Sequence, residues 1–305
     1  MRAKLQKLRR EFEQLQLSTQ AIPWCKRLWW NTGADAEQLR FKDWVLVDSW
    51  YRSRALSFGI DQDALVAVID MINHTCGESG NAYFDRLADG NVALLTPGDR
   101  SYDQGQEVTI SYGDSKSASE MMFSYGFLNE GEEIATALSL DLHIPDDDPL
   151  KRAKETASTA APAVRISLDE GKVRWESTIV WLSCINEEDG LSFKVLLSTD
   201  GERELKMFWK EQDITQDSSC LGKLLEEEQL WNVFHLRAVT IIQDRVEEQL
   251  RRLMASDEQA EAAQHSDHVS PMIWQAAMSL RHLESQLLLR AYGELDDQVN
   301  RKLCR

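Results

Sequence analysis

The sequence predicts an α+β chain, and three observations carry that reading. Apolar residues recur at helical spacing over residues 3–17 and again from Trp231 to Leu287. Between Ala64 and Tyr125 the texture changes to short apolar runs broken by Gly, Asn and Asp, the pattern of brief strands joined by tight turns. At 305 residues the chain has room for two units, each with a core.

Leu5, Leu8, Phe12 and Leu15 lie on one face of an amphipathic helix over residues 3–17. The next stretch, Ile22 to Trp50, holds five tryptophans, and Phe41, Trp44 and Val45 suit a second helix, so the tryptophans are expected in its core. Val66-Ala-Val-Ile69 reads as a buried run, and Asn73-His74 follows it in a turn. Val92–Leu95 and Glu107–Tyr112 are strand-like and are separated by the turns at Pro97-Gly98 and Asp103-Gln-Gly105. Ser117 followed by Glu120 has the form of a capping box, so a short helix starts there.

Beyond Gly131 the balance turns helical. Asp146-Asp-Asp-Pro149 reads as an acidic cap before a short helix, while Leu191–Leu197 fits either a strand or a buried helix end. Two long antiparallel helices are expected from Trp231 and Ile273, joined by a polar linker over Ala255–Ser270, with Gly293 as the stop of the second.

Composition narrows the function. With 43% hydrophobic and 28% charged residues the chain reads as a soluble globular protein. No apolar run approaches the ~18 residues that a bilayer crossing needs. The basic start, Met1 to Leu8, lacks the apolar stretch of a secretory leader, so an intracellular protein of the nucleus or cytoplasm is expected.

Cys25, Cys76, Cys184, Cys220 and Cys304 are far apart, which fits free thiols better than a disulfide framework or a zinc cluster. The histidines also lack metal-ligand spacing, and His265 and His268 read as solvated loop residues, so no metal is expected. The net charge is −17, and residues 41–140 carry 16 acids against 6 bases. Such a surface disfavours phosphate backbones and attracts basic protein segments, so a protein partner is expected rather than nucleic acid.

Four motifs in order carry a resemblance: Ser53-Arg54, then Asp70-Met-Ile-Asn73-His74, then Gly105–Gly113 ending Ile-Ser-Tyr112-Gly, then Tyr125-Gly126-Phe127. Together they resemble the C-terminal half of a SET domain, in the branch typified by the Rubisco large-subunit lysine methyltransferase. The resemblance implies three regions: a helical SET insert over 1–50, the C-terminal part of the SET domain over 51–131, and a mainly α-helical substrate-binding domain over 132–305. It also implies S-adenosylmethionine as cofactor and methyl transfer to a lysine of a non-histone protein, since the post-SET cysteines are absent.

The resemblance implies a role for each of these residues, and the chemistry of methyl transfer says why it is needed. A lysine amine attacks only when neutral, yet its ordinary pKa of about 10.4 keeps it protonated near pH 7, so a ring-lined, desolvating channel is needed. By resemblance Tyr112 is the catalytic tyrosine, whose hydroxyl orients methyl and amine beside the cofactor. Tyr125 and Phe127 would line the lysine channel, where ring faces favour a cationic or methylated amine. Asn73 and His74 would meet the amino-acid end and the adenine of the cofactor. Arg54 would pair with the cofactor carboxylate or shape its pocket. Asp70 could face the substrate lysine, and reads equally as an ordinary acid at the end of an element. Cys76 has no base at a recognisable spacing, so a thiol nucleophile is not supported.

Relatives of this branch carry a Gly-rich segment ahead of the inserted helices, and here no G-x-G run precedes Arg54. The sequence is therefore expected to be either an incomplete version of a longer enzyme, with exposed sheet edges near Val92 and Ile110, or a relative that binds without catalysing. A histidine acceptor is the further alternative.

Overall fold

The computed structural model describes residues 2–30, 38–59, 62–75, 80–98, 101–113, 116–158, 160–197, 202–264 and 269–303. Cys76, Cys304, His265 and His268 lie outside them. The chain divides into two compact units, residues 1–116 with 120–129 and residues 117–119 with 130–305.

The first unit begins with the expected amphipathic helix, α1 (Arg2–Thr19), which buries Leu8 and sets Phe12 edge-on against Trp30 and Phe41, with ring centres at 5.8 and 6.0 Å. A short α2 (Pro23–Leu28) leads to α3 (Phe41–Arg54). Asp43 starts α3 by accepting the Arg40 backbone N–H at 2.8 Å, and Lys4 of α1 pairs with Asp48 of α3 at 2.9 Å. The tryptophans do not form one core: Trp30 is buried, whereas Trp24 and Trp50 are half exposed.

Short strands follow. β1 (Leu56–Ser57) pairs antiparallel with β2 (Asp63–Ala64), and β3 (Asn73–His74) runs parallel to a strand further along the chain. β4 (Tyr83–Arg86) and β5 (Val92–Leu95) form a hairpin whose turn is set by Gly90 in the left-handed region and by Asp89, which accepts from Asn91 twice. The partner of β3 is β6 (Thr109–Ile110), so the strand-like run Glu107–Tyr112 is regular over only two residues.

The run Val66–Ile69 departs from expectation. Only Ile69 is buried, and Val68 is 76% exposed at φ +78°. The chain turns sharply here into a single 3-10 turn, Ile69–Met71, rather than continuing as an extended element with two covered faces.

The next helix, α4 (Ala118–Tyr125), starts where Ser117 and Glu120 placed it. In the second unit β7 (Ala137–Asp141) leads to α5 (Lys151–Ala157), before which Asp148 accepts the Leu150 N–H at 2.7 Å. β7 then pairs antiparallel with β8 (Ala163–Asp169), which pairs with β9 (Lys172–Glu176). α6 (Thr178–Cys184) is capped by Ser177, whose hydroxyl accepts from Val180 at 3.2 Å. Leu191–Leu197 is a strand, β10, and it forms a second three-stranded antiparallel sheet with β11 (Arg203–Trp209) and β12 (Gln212–Asp213).

α7 (Leu221–Glu226) precedes the long α8 (Trp231–Ala255), α9 (Asp257–Gln264) and α10 (Pro271–Leu303). α8 and α10 run antiparallel: Arg281 bonds the Leu253 carbonyl, and Gln243 reaches Asp296 at 3.0 Å. The predicted linker holds α9 as an extra helix. Gly293 does not stop α10, because Ala291 and Leu295 on either side are buried in the helix pair, and that burial outweighs the roughly 1 kcal/mol a mid-helix glycine costs.

Ile166, Val180, Leu182, Ile185, Leu191, Met207, Phe234 and Ile242 fill the core of this unit. Among them sits one fully buried charge, Lys154 of α5. Its ammonium meets Asp148 at 2.5 Å and the Ile185 carbonyl at 2.8 Å, so it is paired and bonded rather than stranded.

Candidate active site

Tyr112 lies two residues past the end of β6 and is fixed at both ends. Its backbone N–H donates to His74 Nδ1 at 3.0 Å, and its phenol donates to the Ile72 carbonyl at 2.7 Å. Because Nδ1 accepts, the ring proton of His74 sits on Nε2. The parallel register, Asn73 opposite Thr109 and His74 opposite Ile110, brings two segments distant in sequence together.

Ring contacts complete an aromatic cluster. The ring of Tyr112 lies 4.5 Å from Tyr125, 5.0 Å from His74 and 6.4 Å from Phe127, centre to centre, and His74 and Phe127 are 5.8 Å apart. Tyr125 arrives from the last turn of α4. Gly126, at φ +85°, then bonds back to the Met121 and Met122 carbonyls at 3.2 and 3.1 Å, which closes the helix and turns Phe127 towards the other rings.

A cavity of about 220 Å³ opens beside these rings. Arg54, Asp70, Tyr112 and Tyr125 line it, over an apolar wall that includes Leu56, Ile69, Phe84 and Ile110. Arg54 reaches it as the last residue of α3, and Asp70 from the 3-10 turn. The Arg54 guanidinium contacts the Met71 sulfur, and among the described residues it forms no ion pair. A sulfur is a weak acceptor, so most of that cation's hydrogen-bonding capacity is open to an anionic ligand.

The electrostatics keep the phenols neutral. Burial raises the pKa of Tyr112 above its ordinary value while the Arg54 charge acts to lower it. Tyr125 is raised by burial and then by Tyr112. A neutral hydroxyl at this position can donate and accept hydrogen bonds, and so can orient a polar reactant.

Not every predicted residue borders the cavity. His74 and Phe127 belong to the ring cluster but are not among the residues lining it. Asn73 also lies off the cavity lining, exposed, with its amide donating to Glu107 Oε1 at 2.6 Å.

Three contributors were not singled out from sequence. Asn81 bridges to β6, donating to the Glu107 carbonyl at 2.7 Å and accepting from the Thr109 N–H at 2.8 Å. Glu107 holds Asn73. Lys116 lines the cavity, bonds the Tyr112 carbonyl and sets its ammonium 5.8 Å from the centre of the Tyr125 ring. The parallel pairing of 73–74 with 109–110 would have pointed to Glu107, but no local pattern in the sequence announces a parallel pair.

Among the described residues no cluster of three or more His, Cys, Asp or Glu is placed to hold a metal, and no helix is long and apolar enough to cross a membrane. Cys25, Cys184 and Cys220 are free thiols, and burial pushes Cys184 up to about 12, which leaves it unreactive.

No family model matches the chain. Over 156 residues it is 33% identical to SET domain-containing protein 8 of Schizosaccharomyces pombe, a match covering 50% of this chain and 35% of that protein. It is similar in structure to Rubisco LSMT bound to AdoMet, with a TM-score of 0.59 at 18% identity over 98% of this chain and 63% of the other. The SET domain of LSMT bound to lysine and AdoHcy gives 0.60 at 16% identity, over 98% and 64%. The chain thus spans about a third of the curated relative and under two thirds of the solved chains. It is a homologue of a SET domain-containing protein, and its fold is that of the LSMT structures.

Proposed function

We propose that this chain transfers a methyl group from S-adenosylmethionine to a lysine side chain of a protein substrate, with Tyr112 as the positioning group. One observation above all supports this reading: Arg54, Asp70, Tyr112 and Tyr125, drawn from four separate segments, line one cavity. A cation for a carboxylate, a hydroxyl for orientation and an aromatic face for an amine are the groups that the reaction uses.

The residues fit the charged end of such a cofactor. Arg54 offers a forked cation to a carboxylate at the cavity wall, whereas Asn73, off that wall, would meet the ligand only by exchanging its bond to Glu107. The cavity, at about 220 Å³, is smaller than the ~300–1,000 Å³ that encloses a whole ligand of drug size, so it takes a reacting end rather than an entire nucleoside. When bound, the cofactor supplies an electrophilic methyl on a sulfonium.

The chain's own groups supply position. Tyr125 and the apolar wall desolvate an incoming amine, which favours its neutral form. The Tyr112 hydroxyl, held by the Ile72 carbonyl, orients that amine without taking its proton. Asp70 on the cavity wall draws the cationic lysine in before it is neutralised. The acidic surface, net −17, selects a lysine in a basic segment.

A second reading has its own support. Asn73 is engaged by Glu107, and Lys116 occupies space in the cavity, which suits a module that binds protein without catalysing. Equilibrium dialysis of radiolabelled S-adenosylmethionine against the 305-residue chain separates the two. Saturable binding that weakens at least tenfold in Asn73→Ala supports the transferase, and absence of binding leaves the protein-binding module. Mass spectrometry of a methylated substrate then distinguishes lysine from histidine as the acceptor.

A further inference from the structure

The candidate active site contains a lysine of its own. Lys116 lines the cavity together with Arg54, Tyr112 and Tyr125, and its ammonium donates to the Tyr112 backbone carbonyl. The nitrogen lies 5.8 Å from the centre of the Tyr125 ring, near the outer limit of roughly 6 Å for attraction by a ring face, so the carbonyl is the stronger contact.

The backbone leaves room for that ammonium. Gly113 has φ +120°, and a Cβ there would stand 2.8 Å from Lys116 Nζ. A side chain at 113 would push the nitrogen off the carbonyl, and glycine keeps the place open.

The partners of Lys116 are of an unusual kind for this chain, which has 51 acidic residues against 34 basic. Lys4, Lys151, Lys154, Lys206 and Lys210 each meet a carboxylate at 2.9 Å or less, whereas among the described residues Lys116 forms no ion pair. A carboxylate favours the charged ammonium, but a carbonyl accepts a hydrogen bond from amine and ammonium alike. The cavity holds only about 220 Å³, and a lysine nitrogen travels on a flexible four-carbon stem. A donor methyl placed there for an incoming lysine is therefore within reach of Lys116.

We propose that Lys116 occupies the place of the acceptor amine and is itself methylated there in cis, by the same sulfonium donor. The inference rests on the methyltransferase reading of this site. Lys116 first gives one proton to water. The neutral amine keeps two N–H groups, one of which can hold the Tyr112 carbonyl, and its lone pair forms the N–C bond as the S–C bond breaks. The bonding electrons stay on sulfur, S-adenosylhomocysteine leaves, and the positive charge passes from sulfur to nitrogen.

The full chain is incubated with methyl-deuterated S-adenosylmethionine at two protein concentrations, with and without an added lysine peptide, and digested for mass spectrometry. A labelled methyl on Lys116 is expected, gained at the same rate per molecule across a roughly tenfold dilution, because a reaction in cis needs no encounter between chains. Binding gives a readout without transfer: by ligand-observed NMR, Nα-acetyl-lysine amide should bind the donor-free Lys116→Ala chain roughly threefold more tightly than the parent, and Lys116→Arg, which refills the place, no more tightly. Label on the added peptide with none on Lys116 overturns the inference and leaves the methyltransferase reading standing; label on neither, with no binding of the donor, overturns both. Labelling that slows with dilution, labelling undiminished in Tyr112→Phe, which marks spontaneous alkylation, or equal affinity of parent and Lys116→Ala for the lysine amide would also overturn the inference.

Discussion

Replacing Tyr112 with Phe removes one oxygen and little else. The ring keeps its neighbours at 4.5 and 5.0 Å, so the cluster with Tyr125 and His74 stays packed. What is lost is the 2.7 Å bond to the Ile72 carbonyl. A neutral hydrogen bond contributes about 0.5–1.5 kcal/mol, and Ile72 borders a cavity from which water can reach its carbonyl, so the stability loss belongs at the low end of that range. A pre-organised polar group acting on the transition state contributes more, about 2.7–4 kcal/mol or a factor of 10²–10³ in rate. The two magnitudes separate the roles. Single-turnover transfer from labelled S-adenosylmethionine to a lysine peptide should fall at least a hundredfold in Tyr112→Phe, while the thermal midpoint shifts by a few degrees and cofactor affinity stays within twofold. Transfer within threefold of the parent would refute the assignment, and a rate loss matched by an equal loss of cofactor affinity would move Tyr112 into the cofactor site.

Two further tests follow from charges described above. Asp148→Ala leaves the fully buried Lys154 ammonium with only the Ile185 carbonyl, and urea denaturation should show a loss of about 3–5 kcal/mol, whereas Lys154→Met, which removes the buried charge itself, should cost far less; equal losses would mean the pair's geometry matters more than its charge. The Tyr112 phenol has a folded pKa above its ordinary 10.0, so its contribution to stability is complete below that pH and declines as pH rises through the folded value. Arg54→Met removes the opposing positive charge, so ultraviolet titration of the phenol should move to still higher pH; a downward shift would show that Arg54 does not face the ring.

The sequence made some parts of this molecule legible and hid others for definable reasons. Helices with a strong apolar stripe, α1, α8 and most of α10, were readable because a 3.6-residue period is a local property. Gly293 misled because its cost is local while the burial of Leu295 that offsets it is not. Arg54, Asp70, Tyr112 and Tyr125 were found through ordered motifs, and they share one cavity. Glu107 was missed because its partner, Asn73, is brought near only by folding, and Lys116 because its bond to the Tyr112 carbonyl four residues back belongs to no helical or strand period. The ring cluster of Trp175, Trp181, Trp231 and His235 was hidden by distance in sequence: its members come from β9, α6 and α8, and nothing in their spacing relates them.

Val68 deserves a last consequence. At φ +78° and ψ −50° a β-branched residue occupies a γ-turn geometry that strongly favours glycine, at a cost of about 1–3 kcal/mol. That tension sits two residues before Asp70, on the wall of the cavity. Relaxing it with Val68→Gly should make the protein harder to melt, yet it would also slacken the tether that holds the Asp70 carboxylate at the cavity wall. Under the proposed reaction, durability and turnover are thus set against each other at a single solvent-facing valine.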